Sequence, residues 1–132
     1  MLLLAGQSAW ATYDYYDSPG YTRWYDYHIT YGQIIGQRAK PDEVILMSFG
    51  WGEGAATGYY AQRDVVRVHS VEDLQSVRNH PDFRGGYLVQ SGEFDSSGGE
   101  ALLSSFECIA ELDVYDSAVK ILHVLPPKPL TD

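Results

Sequence analysis

Residues 13–31, YDYYDSPGYTRWYDYHITY, decide how the rest of the chain is read. Seven tyrosines and one tryptophan fall within them. In the middle, Asp17-Ser18-Pro19-Gly20 reads as a turn, because Pro at the second position presets φ and Gly at the third supplies positive φ, the type II pattern. Beyond it, Tyr21, Arg23, Tyr25, Tyr27, Ile29 and Tyr31 alternate with Thr22, Trp24, Asp26, His28 and Thr30. A period of two, rich in aromatic and β-branched residues, predicts a strand, so the stretch reads as a β-hairpin. Both of its faces are aromatic. One face then packs on the core, and the other is covered or binds something.

Working outward, residues 2–12 read as a strand leading into the hairpin, and Gly32 to Gly36 as a short extension or bulge. Residues 44–49, VILMSF, are a continuous apolar run, the pattern of a strand buried on both faces. Residues 59–68 and 87–90 are further strand candidates. Between them, Ser70 as N-cap with Asp73 three residues on predicts a short helix over 71–79, stopped by Pro81. Residues 105–114 and 118–125 alternate as strands joined by a turn at 115–117. Pro126, Pro127 and Pro129 then predict an extended tail. The fold class expected is α+β and β-rich: a curved, mainly antiparallel sheet or small partly open barrel with one short helix. Residues 1–125 form the single domain and 126–132 the proline-rich tail.

The totals narrow the function. At 132 residues the chain holds one core. Its net charge of −9 excludes nucleic acid, whose phosphates need a positive surface, and disfavours an anionic membrane. No window reaches the roughly 18 apolar residues of a membrane span. The opening residues lack the basic start and long apolar core of a signal peptide. One cysteine, Cys108, excludes a disulfide framework and points to a reducing, cytoplasmic home. Set in an apolar alternation, Cys108 reads as a core residue and not a nucleophile.

Chemistry-bearing residues are few. On a strand, Asp26 and His28 would share a face with Trp24, roughly 6 to 7 Å apart, as a possible acid/base pair. Trp51 and Glu53 lie in the loop GWGEG; its glycines resemble a phosphate loop only superficially, since neither a following helix nor a lysine is evident. His28, His69, His80 and His123 have no metal-ligand spacing, and no cofactor motif is present. Charge is more informative. No Lys or Arg occurs between Arg84 and Lys120, whereas seven Asp and Glu do. The alternation of 106–114 places Phe106, Cys108, Ala110, Leu112 and Val114 inward and aligns Glu107, Glu111 and Asp113 as one acidic stripe.

These features predict a non-enzymatic interaction protein, such as an inhibitor, an immunity-type protein or an assembly subunit. It engages a basic partner through Tyr16, Trp24, Tyr25, Tyr27 and Trp51 with Glu107, Glu111 and Asp113. The rival expectation is a small ligand-binding domain or enzyme of the β-barrel type. Its aromatic pocket would take a neutral or cationic ligand, with Asp26, His28 and Glu53 as acid/base groups. Concavity separates the two.

Overall fold

The computed structural model describes residues 19–48, 53–114 and 116–128, with side chains from Asp26 onward in the first helix and from Gly54 in the second. The expected strand at 2–12 and the first arm of the hairpin lie outside these residues. Pro19–Gly36 is not the second arm of a hairpin but an 18-residue helix, α1. Proline suits a first helical position, where its missing N–H has no partner to lose. Tyr27, Tyr31 and Ile35 recur every fourth residue and so fall on one helical face, and that face is what enters the core. Aromatic and β-branched residues cost only a few tenths of a kcal/mol each in a helix, which such burial outweighs.

Four further strands and three further helices follow β1 (Val44–Met47) among the described residues: α2 (Glu53–Ala61), β2 (Val65–Arg67), α3 (Val71–Arg78), β3 (Gly86–Gln90), α4 (Glu100–Ser104), β4 (Glu107–Val114) and β5 (Ser117–Val124). The strands make one sheet in the order β2-β1-β3-β5-β4. β1 runs parallel to both β2 and β3, and β5 is antiparallel to β3 and β4. The sheet is therefore mixed and open, not a curved antiparallel sheet or a barrel. Parallel pairing requires helical crossovers, and α2 and α3 supply them. The strand expected at 59–68 gives way to the end of α2 and the short β2. The helix expected at 71–79 forms as Val71–Arg78. Ser70 Oγ accepts the Asp73 N–H at 3.2 Å, and Asp73 in turn accepts the His69 N–H at 2.9 Å.

Both sheet faces are covered. Leu46, Leu88, Leu122 and Val124 meet Val71 and Leu74 of α3, with Phe83, Phe94 and Leu103, on one face. Ile45, Met47, Tyr87, Val89, Val119 and Ile121 meet Tyr31 and Ile35 of α1 and Ala61 of α2 on the other. Here the glycines read as a bulge have a different purpose. A Cβ at Gly32 would sit 2.5 Å from the Thr57 carbonyl oxygen, and one at Gly36 3.1 Å from Ala61 Cα. They let α1 and α2 touch backbone to backbone.

The β4–β5 hairpin forms as expected, but a bulge between Cys108 and Ala110 breaks its alternation. Two faces result. Ala110, Leu112 and Val114 pack towards α1, whereas Cys108 is exposed, which overturns its reading as a core residue. Glu111 pairs with Lys120 and Asp113 with Ala118, while Glu107, before the bulge, pairs with His123. His123 lies on the face opposite to Lys120, because the two are an odd number of residues apart on one strand. The acidic stripe is therefore split between faces, and a lysine stands opposite Glu111.

Candidate functional site

The chain leaves β1 through α2 on one face, then leaves β2 through α3 on the other and returns beside β1 as β3. The connections diverge between β1 and β3, and the carboxyl ends of such strands form a natural crevice. A cleft of about 240 Å³ lies there. Met47 and Ser48 line it from the end of β1, and Val89, Ser91, Gly92 and Glu93 from the end of β3 and its loop. α1 contributes Tyr27, His28 and Tyr31, and the hairpin contributes Val114, Ser117 and Val119.

The helical wall is held in place by α2. Thr57, fully buried, donates its hydroxyl to the His28 carbonyl at 3.2 Å and lies 3.5 Å from His28 Nδ1. The His28 ring meets Tyr31 edge-on with centroids 5.3 Å apart. Burial, with Tyr27 alongside, pushes the Tyr31 hydroxyl up to about 12, so it is a neutral hydrogen-bonding group at ordinary pH. Ser48, itself buried, shares a hydrogen bond with Nδ1 of His69, which follows β2. That contact ties the ends of β1 and β2 together. Among the described residues no carboxylate reaches this ring as one would to orient a catalytic imidazole; Asp73 accepts the backbone N–H of His69 instead. The cleft thus offers an apolar floor of methionine and valines, a rim of hydroxyls and imidazole, and one carboxylate, Glu93.

The structure places the expected site residues unevenly. Tyr27 and His28 are in the cleft. Asp26 is exposed and not among its lining residues, because two residues along a helix turn about 200° and separate it from His28. The Asp26–His28 pair of a shared strand face therefore does not exist. Trp24 and Tyr25 belong to α1 and Glu53 opens α2, but their side chains, like all of Tyr16 and Trp51, lie outside the described residues. The GWGEG stretch does run into a helix, α2, which begins at its Glu53. Glu107, Glu111 and Asp113 are exposed on β4, away from the cleft. Ser48, Glu93 and Ser117 were not singled out from sequence. For Ser48 a signal existed, since it ends an apolar parallel strand, where α/β sites form.

A second polar cluster lies at the opposite end of the sheet. Glu43, only 3% exposed at its side chain, approaches His123 Nε2 with Oε2 at 2.8 Å. Its Oε1 accepts the Lys40 N–H at 2.8 Å. His123 stacks on Tyr87 at 4.6 Å, and burial, then the Glu43 carboxylate, push the Tyr87 hydroxyl upward. Both oxygens of the buried carboxylate are thus satisfied, the condition for keeping it inside. Among the described residues no group of three or more His, Cys, Asp or Glu is placed to hold a metal ion, and no helix is long and apolar enough to cross a membrane. Comparison with protein families, curated proteins and solved structures found no match.

Proposed function

We propose that the chain is a small-ligand-binding domain whose site is the cleft at the carboxyl ends of β1 and β3. The observation that carries this reading is the convergence of Tyr27, His28, Ser48 and Glu93 at the point where the chain's crossovers diverge. The size, about 240 Å³, is below the roughly 300–1,000 Å³ of pockets for drug-sized molecules, which favours a ligand no larger than a monosaccharide. Glu93, exposed in the lining, and a chain charge of −9 favour a neutral or cationic ligand over an anion. A thermal-shift and calorimetry panel of monosaccharides, polyols, small amines and small carboxylates tests this. Neutral or cationic members should raise the melting temperature and carboxylates should not, with Tyr27→Ala and Glu93→Gln weakening the gain. A panel in which nothing binds, or in which both variants bind like the parent, would refute the reading.

A second reading, engagement of a basic protein partner, is favoured by the outermost described strand of the sheet. Among the described residues β4 pairs with β5 alone, and Glu111 and Asp113 are exposed along it. Unpaired backbone groups of an edge strand accept an added strand, and acidic side chains select a basic one. Charge reversal at Glu111 and Asp113 should slow association more than it speeds dissociation, and added salt should slow it as well. Salt-independent association would discard this reading.

A further inference from the structure

Among the described residues three large hydrophobic side chains are exposed: Tyr59 at 69%, Tyr60 at 42% and Leu125 at 56%. The two tyrosines, ring edge to ring face with centroids 5.3 Å apart, border an open groove of about 640 Å³ at the end of the sheet opposite the cleft. Pro41, Asp42, Gln62, Arg63 and Asp64 also line it. The groove's one arginine is already committed. Arg63 donates to the carbonyls of Lys40, Ala39 and Gln62 at 2.9, 2.7 and 2.8 Å, and to that of Ala61 at 3.4 Å. Its guanidinium closes the ends of α1 and α2, and among the described residues neither Asp42 nor Asp64 is within ion-pair distance of a cation. The groove is therefore aromatic and carries two exposed carboxylates against the one charge of Arg63.

The third exposed hydrophobic residue heads the segment Leu125-Pro126-Pro127-Lys128, which continues in sequence with Pro129 and Leu130. In sequence its prolines are spaced P-x-x-P, at 126 and 129, and a proline ring favours the φ of polyproline II, a conformation that presents a preformed apolar ridge. Aromatic grooves recognise such ridges at little entropic cost, and a nearby carboxylate reads a basic residue in the segment. Lys128 is that residue. Among the described residues the segment stays off the groove: the Leu125 carbonyl accepts from Arg78 Nε at 2.9 Å, and none of residues 125–128 lines the groove.

We propose that the groove formed by Tyr59, Tyr60, Asp42 and Asp64 is a docking site for residues 125–130 of a second copy of the chain. Exposed hydrophobics and opposite charges then meet on the two surfaces that hold them. Two chains of charge −9 repel, so the contact is weak and depends on concentration. This proposal is independent of the ligand cleft and of the β4 edge.

The test combines sedimentation equilibrium of the full chain with titration of an N-acetylated peptide of residues 125–132, followed by amide NMR. Self-association should rise with concentration, and the peptide should shift the amides of Tyr59, Tyr60, Gln62 and Asp64. Tyr59→Ala with Tyr60→Ala should weaken both by about tenfold or more, the scale of a lost hot spot. Both side chains are exposed, so the variant should keep its fold, which circular dichroism checks. A Lys128→Gln peptide should bind more weakly. Absence of groove shifts at millimolar peptide, equal binding by the tyrosine variant, or a monomer at every concentration would overturn the proposal.

Discussion

Gly32→Ala tests the packing that builds the cleft's helical wall. On helix propensity alone the change should help, since alanine is favoured over glycine by about 1 kcal/mol. Space decides otherwise. The new Cβ would lie 2.5 Å from the Thr57 oxygen, 2.8 Å from Tyr60 Cβ and 3.2 Å from the Ala61 nitrogen. The first of these is about 1 Å short of ordinary contact, and backbone cannot swing aside as a side chain can. Overpacking costs about 1–3 kcal/mol, and a backbone obstacle puts this site near the upper end. The net is a loss of about 2 kcal/mol. Urea denaturation followed by circular dichroism should show a midpoint lowered by roughly 1 M, taking a slope of about 2 kcal/mol/M. Gly36→Ala, with its nearest contact at 3.1 Å, should fall close to neutral. Gly92→Ala meets nothing within 4 Å and should be neutral or stabilising by up to about 1 kcal/mol. A Gly32→Ala protein as stable as the parent would mean that α1 and α2 do not touch there.

Three further outcomes are expected. His123→Ala leaves Glu43 buried with one oxygen unanswered and should cost about 3 kcal/mol, the low end for a broken buried pair because His123 is itself 23% exposed. Glu43→Gln, which keeps an acceptor for the Lys40 N–H, should cost less, and the reverse order in denaturant melts would contradict the geometry. Tyr31 titrates at about 12 in the fold against 10.0 when unperturbed, so the unfolded chain binds fewer protons between those values. Its contribution to stability is therefore complete below pH 10 and declines as the pH rises towards 12, by up to about 1.4 kcal/mol per unit. Tyr31→Phe should flatten that decline and remove a component near pH 12 from the phenolate absorbance titration. Cys108, exposed on β4, should react with a thiol reagent in the native protein nearly as fast as after denaturation, and strong native protection would place it back in a core.

Much of the sheet was legible from sequence, because its signals are local. VILM is apolar on both parities, as a central strand between two helical layers must be, and the 107–124 hairpin alternates except at its bulge. The Ser70–Asp73 cap marked α3 for the same reason. The first helix reads as a strand because Tyr21, Trp24, Tyr25, Tyr27, His28 and Tyr31 put aromatic rings on both parities, so a period of two is available. The i, i+4 series Tyr27, Tyr31, Ile35 was the weaker but correct signal. Gly32 and Gly36 read as a bulge, while their cause, like that of Gly58, is close approach: a Cβ at Gly58 would lie 2.8 Å from Val65 Cγ2. With the wrong period, His28 gained Asp26 as a neighbour and lost Ser48, Glu93 and Ser117. Those cleft-lining residues come from three other elements, and only the topology brings them together.

The most direct test of the ligand cleft is an amide NMR titration of the full chain against small monosaccharides, polyols and amines. The account predicts that a binding member shifts the signals of Tyr27, His28, Ser48, Ser91, Glu93 and Ser117 together, with one dissociation constant. Shifts centred on other residues, or none across the series, would contradict it.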